Sequence, residues 1–550
     1  MKRLPLVFVG GLLLVAAILP MSGGQLGFGS GSPAAPSASP GSSLGAVSSP
    51  TTVPAAAPSA GVATASPAAT AQPSSASPTP LADVAIVPVT QFRATAVSIG
   101  RTELAAVLDG TSKRYEALEL VRADADAILA ALGVERPADA SRLILARDAG
   151  SLTRDLAKHR ARLAFLRATE VTPAVRALAW GSRSLFGVDR VRTAAEWGLS
   201  AKLAAAPGST AFDPAATWTL FAGGDILLDR GVYQTIRIKG RGVDFPFDGG
   251  TAEITGHTCC SGFGWRIPQT KRTGNGGAMR GLISAADIAI ANFENPAPNR
   301  IRWHTKGTVF SADPGIINGL VDAGIDYVSL ANNHIGDAGD LGILQTIANL
   351  KQRGLKFSGA GKDLAAARKP AVLTAAGTKV AILGYDAIAR GYHAGPDETG
   401  SAPLARKTVA ADIKKARAAG ADLVIVFPHW GTEYQYRPFQ NQQRLARDII
   451  DAGADMIIGN HAHYAAAMEI YKGKPIWYAL GNFVFDQTWS EPTMEGITLE
   501  LTFDGSKLVQ ARMRPHIILD KAQPNFLDPA GDGKVVLGNI YDASKGILPY

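Results

Sequence analysis

The sequence predicts an α/β fold whose sheet is mainly parallel. Between residues 218 and 486, five apolar, strand-like runs each stop near a glycine, proline or small residue, and a side chain of metal-ligand type follows. Helix-like segments lie between most of these runs, and that alternation makes the strands parallel, with their carboxyl ends on one edge of a sheet. We therefore expect the polar side chains that follow the runs to converge at that edge.

Each run is followed by its own candidate ligand. The pairs are residues 218–222 before Asp225, residues 288–291 before Glu294, residues 327–330 before Asn333 and His334, residues 423–427 before His429, and residues 456–458 before His461 and His463.

Repeated turn signals support the strand and helix assignment. Three strands are preceded by Ala-Gly-x-Asp, at residues 323–326, 419–422 and 452–455. A glycine just after a helix takes the left-handed conformation and turns the chain back onto the sheet. Beyond Asp486 the pattern becomes antiparallel, because two alternating runs flank the hairpin signal Asp504-Gly505.

The length of the chain predicts more than one domain. At 550 residues it exceeds the ~250 to 300 residues at which a single core usually stops growing. Its net charge of +8 favours contact with acidic polymers or membrane surfaces. Nucleic acid is not expected as a partner, because the sequence has no basic run with interleaved aromatic residues.

The first 82 residues predict export and a flexible tether. Lys2 and Arg3 precede an uncharged apolar stretch over residues 4–21, which is at the lower limit for a spanning helix. A cleavable signal peptide and an uncleaved anchor both remain open for residues 1–24. Residues 25–82 lack charge and are rich in Pro, Ala and Ser, which predicts a disordered linker. We expect an extracytoplasmic protein, either secreted or tethered to the cell membrane.

Residues 83–205 predict a small accessory α/β domain. Residues 84–89 predict a buried strand, residues 103–108 a helix, and residues 115–132 and 152–167 two further helical segments. Residues 86–92, together with the helix that follows them, also resemble part of a lobe of periplasmic solute-binding proteins. A solute-binding protein would need a second lobe, and we find none in the sequence, so an accessory or spacer module is the preferred interpretation.

The two cysteines, Cys259 and Cys260, are neighbours in the chain. Adjacent cysteines cannot cross-link distant segments, so a disulfide framework is excluded. A vicinal disulfide and two free thiols in an insertion loop both remain open, and we assign neither a catalytic role.

Histidines provide the strongest sign of a metal site. His461-Ala-His463 places two imidazoles just past a buried strand and Gly459, and neutral imidazole is a common metal ligand. The alternative is a pair of surface histidines. His429 follows the apolar run 423–427, where a lone histidine is more often a hydrogen-bonded structural residue.

The remaining candidates also have structural alternatives. Asn333 could cap a helix, Asp225 could be a helix N-cap, and Glu294 could be a solvated loop acid. Four of the nine histidines nevertheless lie at ends of strand-like runs, beside two carboxylates. This joint clustering favours a metal site over the separate structural explanations.

Six motifs in this order resemble the CapA-type poly-gamma-glutamate capsule biosynthesis proteins. The resemblance runs from about residue 217 to about residue 519, which predicts a domain over residues 215–520 and a C-terminal extension over residues 521–550. The motifs are Phe221-Ala-Gly-Gly-Asp225, Ala291-Asn-Phe-Glu-Asn-Pro296, Ala331-Asn-Asn-His-Ile-Gly-Asp337, Pro428-His-Trp-Gly-Thr-Glu433, Gly459-Asn-His-Ala-His463 and Leu480-Gly-Asn-Phe-Val-Phe-Asp486.

That family in turn is similar to calcineurin-like metallophosphoesterases. The resemblance implies a metallophosphoesterase-like two-sheet sandwich flanked by helices, with a metal centre at the strand ends. The sequence does not identify the divalent metal, and manganese, iron and zinc all remain open. His334 would be the catalytic acid that protonates a leaving group. The implied metal ligands are Asp225, Glu294, Asn333, His429, His461 and His463.

Two departures from the phosphoesterase pattern limit what the resemblance implies. The first motif reads Asp225-Ile226-Leu227 where those enzymes have Asp-x-His, so one ligand is absent. Glu294 stands where they have aspartate. We therefore expect one firm metal site and a weak second one.

Two functions remain open from the sequence. The first is an extracytoplasmic metal-dependent hydrolase-fold protein of capsule or envelope polymer biosynthesis, of the poly-gamma-glutamate type. The second is a non-catalytic, metal-containing subunit for polymer binding or export. The expected partners are an anionic envelope polymer and either the membrane or other capsule-assembly proteins.

Overall fold

The structure is a computed structural model that describes residues 80–204, 211–274 and 276–550. The predicted leader and nearly all of the predicted linker lie outside the described residues. Strand β1 begins at Leu81, two residues before the predicted start of the folded region. Within the described part of the chain, no helix combines the length and hydropathy needed to cross a membrane.

Residues 81–204 form a small α/β module with its own core. Its largest sheet has the order β4-β3-β5-β1-β6, with β8 also paired to β1. The strands are β1 (Leu81–Gln91), β2 (Ser98–Ile99), β3 (Ala117–Val121), β4 (Leu143–Ala146), β5 (Arg162–Arg167), β6 (Val175–Ala177), β7 (Ala179–Trp180) and β8 (Ser200–Ala204). The helices are α1 (Arg101–Leu108), α2 (Ala125–Leu132), α3 (Ala149–Lys158) and α4 (Ala194–Trp197).

Two helical predictions in this module were partly wrong. Residues 115–132 contain strand β3 before α2, and residues 152–167 contain the end of α3 followed by strand β5. Strand β3 lies between β4 and β5 and is almost wholly buried. A short run that is apolar on both faces shows no clear period, so periodicity alone cannot separate strand from helix. The division into a separate accessory domain stays a prediction.

The described residues from 211 onward contain eighteen strands, numbered here in chain order. They are β9 (Thr217–Ile226), β10 (Thr251–Thr258), β11 (Ile267–Gly274), β12 (Ile288–Phe293), β13 (Tyr327–Ser329), β14 (Lys356–Ser358), β15 (Ala360–Gly361), β16 (Ala371–Ala375), β17 (Thr378–Asp386), β18 (Gly400–Ser401), β19 (Leu423–His429), β20 (Met456–Ile458), β21 (Met468–Tyr471), β22 (Lys474–Trp477), β23 (Asn482–Val484), β24 (Glu495–Asp504), β25 (Lys507–Leu519) and β26 (Gln523–Leu527).

Helices connect most of the parallel strands. They are α5 (Arg230–Tyr233), α6 (Ala278–Ala285), α7 (Ile317–Ala323), α8 (Gly339–Gln352), α9 (Leu364–Ala367), α10 (Arg406–Ala418), α11 (Gln440–Asp451), α12 (Glu491–Met494) and α13 (Gly533–Ala543). Each of the five predicted strand-like runs lies in or overlaps a strand, and Gly324 ends α7 in the left-handed conformation as predicted.

These strands build two large sheets. The first has the order β11-β10-β26-β25-β24-β9-β12-β13-β14, with β23 also paired to β9. The second has the order β16-β17-β19-β20-β22-β21. Strands β9, β12, β13 and β14 are parallel, and so are β17, β19, β20 and β22. The predicted antiparallel hairpin is confirmed as β24 and β25.

The inner faces of the two sheets pack against each other. Trp218 and Ile290 from the first sheet share one buried cluster with Ile425 and Phe427 from the second. Helices α6, α7 and α8 cover the outer face of the first sheet, and α10 and α11 cover that of the second. The predicted α/β sandwich of two sheets flanked by helices is therefore confirmed.

Strands β10 and β11 form a hairpin that leaves its tip exposed. Cys259 and Cys260 lie just beyond β10 and are joined by a vicinal disulfide across a cis peptide bond. Of the two alternatives that the sequence left open, the structure therefore contains the disulfide.

Gly224 lies where strand β9 runs beside the loop that leads into β23. A Cβ atom at this position would overlap the carbonyl oxygen of Gly481, and the next residue, Asp225, donates its N–H to that same oxygen at 3.1 Å. Because a backbone oxygen cannot move aside like a side chain, only glycine fits here.

We predict that Gly224→Ala lowers the free energy of unfolding by about 2 kcal/mol or more, since it overpacks the contact between β9 and the loop before β23. Urea denaturation measures the change. Gly538→Ala is the control, because a Cβ there meets open space within helix α13 and alanine favours helix by about 1 kcal/mol. Equal destabilisation by both substitutions would contradict the close approach at Gly224.

Glu495, the first residue of β24, is a buried acid with an unpartnered oxygen. Its side chain is 3% exposed, and its Oε1 has no hydrogen-bond partner among the described residues. Burial raises the pKa of Glu495 to about 8, and the nearby Glu491 adds to the effect. The folded protein therefore keeps this carboxyl protonated at neutral pH.

We predict that Glu495→Gln becomes stabilising relative to the wild type as pH rises. The unfolded chain releases this proton near pH 4.5, whereas the folded chain holds it until about pH 8. The wild type therefore loses stability between those values, at up to about 1.4 kcal/mol per pH unit. Denaturation curves at several pH values measure the difference in unfolding free energy between Glu495→Gln and the wild type. For the exposed control Glu135→Gln, this difference should not change over the same pH range. A difference that stays constant with pH for Glu495→Gln would contradict the raised pKa.

Candidate metal centre

The carboxyl ends of four strands from both sheets meet at one end of the sandwich. Asp225 is the next-to-last residue of β9, and Glu294 directly follows β12. Both strands belong to the first sheet. His429 ends β19, and His461 follows β20 in the second sheet. Our expectation of one edge of one sheet was therefore wrong. The ends converge because the two sheets pack face to face.

Two groups of buried side chains could each hold a metal ion. The first consists of Glu294, His429 and His461, and the second of Asp225, Glu294 and His463. Within each group the potential ligand atoms lie within 4.8 Å of one another. Glu294 belongs to both groups, so its carboxylate could bridge two metals. The expected difference in strength between the two sites stays a prediction.

The spacing around Glu294 suits shared coordination better than direct hydrogen bonding. Its Oε1 lies 3.6 Å from Nε2 of His429 and 3.8 Å from Nε2 of His463. These distances exceed hydrogen-bond length, and Oε1 is buried without a partner among the described residues. Ligand bonds of about 2.0 to 2.3 Å to one cation would give such separations. The residues therefore fit a divalent metal.

Burial opposes charge on every one of these groups. It raises the pKa of Asp225 to about 6, and together with the neighbouring Asp225 it raises the pKa of Glu294 well above its usual value. Burial also lowers the pKa of His461 to about 4, that of His463 to about 3, and that of His429 well below its ordinary value. Neutral imidazoles are competent ligands, and a divalent cation would stabilise the ionised carboxylates.

Two asparagines hold these ligands in place. Nδ2 of Asn292 donates to Oδ1 of Asp225 at 2.8 Å and lies 3.2 Å from Nδ1 of His429. Oδ1 of Asn482 lies 2.9 Å from Nδ1 of His463. When that nitrogen carries the proton, Nε2 of His463 is left to bind a metal. Both asparagines lie in motifs given in the sequence analysis, but the sequence analysis assigned neither a role. The feature that could have identified them is an amide side chain within an otherwise apolar strand.

A strained turn presents the two histidines after β20. His461 and His463 have positive φ angles of 91° and 55°. Left-handed backbone costs a residue with a side chain on the order of 1 kcal/mol or more and occurs often at functional sites. Gly459 permits the turn, because a Cβ there would overlap the carbonyl oxygen of Tyr478.

Asn333 reaches the centre from the first sheet. Its Oδ1 lies 2.7 Å from Nε2 of His429, and Nδ1 of His461 is 3.1 Å from that same nitrogen. The structure thus brings the amide of Asn333 beside the first donor group, and its role as a metal ligand stays a prediction.

His334 lies beside the donor groups and belongs to neither. Its Nδ1 is 2.8 Å from Oδ2 of Asp337, and its ring lies 4.2 Å from the ring of Phe310. Asp337 also accepts the N–H of Phe310 at 2.7 Å. The carboxylate therefore orients the imidazole and leaves Nε2 of His334 available. Asp337 was quoted in a motif, but sequence reasoning gave it no role.

Aromatic side chains line one approach to the centre. The ring of Tyr434 stacks at 5.9 Å from that of His463, Trp489 lies 5.1 Å from Tyr434, and Phe263 lies 5.6 Å from Trp489. Phe263 is 74% exposed at the tip of the β10–β11 hairpin. These residues are far apart in sequence, and sequence reasoning did not find them.

Comparison of this sequence with known proteins finds similarity to one protein family. The model of the bacterial capsule synthesis protein family PGA_cap matches residues 219–487. The capsule biosynthesis protein CapA of Bacillus anthracis is 35% identical over 216 residues, which are 38% of this chain and 53% of that protein. The chain thus spans about half the length of this relative.

A second relative is matched over more of its length. A probable polyglutamine synthesis accessory protein of Mycobacterium tuberculosis is 30% identical over 305 residues, which are 49% of this chain and 74% of that protein. Among solved structures, the calcineurin-like phosphoesterase YfkN of Bacillus subtilis is 15% identical. The match covers 60% of this chain and 97% of that chain, with a TM-score of 0.29.

We predict that the double substitution His461→Ala/His463→Ala removes bound metal and lowers the melting temperature, because one nitrogen ligand is lost from each donor group. Metal analysis of the purified protein and thermal unfolding with and without a chelator measure both effects. His159→Ala, at an exposed histidine of the small module, is the control. Full metal content in the double variant would contradict the assignment.

Proposed function

The chain belongs to the bacterial capsule synthesis protein family, and we propose that it is an extracytoplasmic, metal-dependent hydrolase acting in envelope polymer biosynthesis. The observation that carries this proposal is the buried carboxylate of Glu294, which two groups of metal-ligand side chains share. A structural core gains nothing from an unpartnered, fully buried carboxylate oxygen. Binding and activating a substrate at a metal does require such a group.

Some residues of the centre would bind the metal, and others would orient the residues that bind it. Asp225, Glu294 and the three histidines would hold one or two divalent cations, with Asn292 and Asn482 fixing ligand orientation. A divalent cation bound there supplies Lewis-acid chemistry, polarising a phosphoryl or amide oxygen and making an attacking water more acidic.

His334 is the proposed general acid. Asp337 fixes its Nδ1 at 2.8 Å, and its side chain is 13% exposed, so Nε2 can meet a substrate at the edge of the centre. The preceding residue, Asn333, places its Oδ1 2.7 Å from Nε2 of His429, so the chain carries His334 next to the candidate ligands. Donation of a proton from Nε2 to the leaving oxygen or nitrogen would complete bond cleavage.

The charge of a neighbouring segment supports an anionic polymer as substrate. Residues 295–312 contain no acidic residue, and Arg300, Arg302 and Lys306 are exposed. Arg230 anchors this segment by donating to the carbonyl oxygen of Gly307 at 3.0 Å. A flexible polyanion such as poly-gamma-glutamate, which the sequence resemblance implies, is attracted by such a stretch.

The location and partners form part of the same proposal. Lys2, Arg3 and the uncharged stretch 4–21 support export, with the protein secreted or tethered to the membrane. We expect it to act beside the membrane or with other proteins of polymer assembly.

One observation favours a second function, that of a non-catalytic subunit for polymer binding or export. Leu227 stands where the resembling phosphoesterases have a histidine ligand, and it is fully buried against Phe310 and Phe485. A metal that lacks this ligand could serve to hold carboxylates of the polymer without cleaving it.

We predict that His334→Ala keeps its metal but loses about 100-fold or more in hydrolysis rate, because general acids contribute about that much. The assay uses metal-loaded protein with phosphomonoesters, phosphodiesters and gamma-glutamyl peptides. Metal content is measured on the same samples.

Asp337→Asn tests the orienting contact and should reduce the rate less than His334→Ala does. His159→Ala again serves as the unchanged control. If His334→Ala supports the full rate, or full polymer production in cells that depend on this protein, the hydrolase proposal is wrong and the binding function takes its place.

A further inference from the structure

The small module contains a cavity that shares no residue with the metal centre. Its volume is about 410 Å³, which lies within the usual range for small-molecule sites. It is lined by residues 94–98, which follow β1, by Arg114, Tyr115 and Arg160 from the same module, and by Ala530 from the segment before α13.

The lining of this cavity is basic and lacks counter-charge. None of its residues is acidic, and neither Arg114 nor Arg160 forms an ion pair with any described carboxylate. Other arginines of the module are paired, such as Arg136 with Asp126 and Arg167 with Asp124. Arg114 and Arg160 thus bring two positive charges to the cavity with no described carboxylate paired to either.

A third guanidinium lies close to that of Arg160. Arg93 stands one residue before the 94–98 stretch, and after burial the charge of Arg160 is the next contribution that lowers the pKa of Arg93. Tyr541 and Asp542 act on Arg93 in the opposite direction. An anion bound beside Arg93 and Arg160 reduces the repulsion between these two cations and is attracted by both.

Tyr115 supplies an independent sign of a ligand. Its side chain is 3% exposed and lines the cavity, and no described group makes a hydrogen bond of normal geometry with its hydroxyl. The side chains of Thr90 and Arg114 lie close to that hydroxyl. Leaving a buried hydroxyl unpaired is unfavourable, so most such groups have partners in folded proteins. The hydroxyls of Thr95 and Ser98 also belong to the lining.

We propose that this cavity binds a small organic or inorganic oxyanion through a carboxylate or phosphate group. The planar guanidinium fork of arginine matches both groups and forms short, charge-assisted hydrogen bonds with them. Arg114 and Arg160 neutralise the anion, and the hydroxyl of Tyr115 donates to it. The small module then contains a second binding site of this chain, and anion binding at that site does not require a metal.

Calorimetric titration of the full chain tests the site. The probes are inorganic phosphate, glutarate as a carboxylate, and glutaramide as its neutral counterpart. Phosphate or glutarate binds and glutaramide does not, and the stronger of the two anions identifies the natural class. Failure of both anions to bind at low salt overturns the proposal.

Variants locate the binding. Arg114→Gln/Arg160→Gln weakens anion binding tenfold or more, and Tyr115→Phe weakens it severalfold while leaving the charge intact. The control Arg136→Gln/Arg147→Gln removes two exposed charges from the same module and changes affinity less than twofold. Equal losses in both arginine pairs would mean non-specific attraction and overturn the site.

A variant of the metal centre tests whether the anion binds at the cavity or at that centre. His461→Ala/His463→Ala retains anion binding within twofold, because the two sites share no residue. Loss of anion binding in that variant would place the anion at the metal centre and overturn the proposal, leaving the hydrolase proposal to its own test.

Discussion

The buried carboxylate of Glu294 is the constraint on which the rest of this structure depends. It lies beside a second buried carboxylate, Asp225, and one of its oxygens has no partner among the described residues. Burying two acids together without a cation is costly, and burial accordingly raises the pKa of both carboxyls. A divalent metal would reverse that cost, and the surrounding neutral imidazoles are suited to complete its coordination.

The two-sheet sandwich is what brings these ligands together. Asp225 and Glu294 end neighbouring parallel strands of one sheet, while His429 ends a strand of the other. Because the sheets pack over a shared apolar core, ligands separated by more than 200 residues meet at one end. Gly224 and Gly459 allow backbones to approach where a Cβ would collide. The fold and the centre thus impose the same local requirements.

Sequence reasoning found the candidate ligands but not their arrangement. Asp225 and His429 were recognisable because a polar residue after an apolar run is a local signal. The division of their strands between two sheets depends on long-range pairing, which periodicity does not contain. Asn292 and Asn482 were missed for a related reason, since an amide in a strand acquires its role only from what the fold places next to it. The same ambiguity made buried strand β3 resemble a helix.

Anomalous diffraction at the manganese edge, from crystals of metal-loaded protein, tests the central claim most directly. The account predicts a peak about 2.0 to 2.3 Å from a carboxylate oxygen of Glu294 and from imidazole nitrogens of His429 and His461. A second metal would give a peak between the same carboxylate, Asp225 and His463. Stoichiometric manganese with every peak outside these residues would contradict the account.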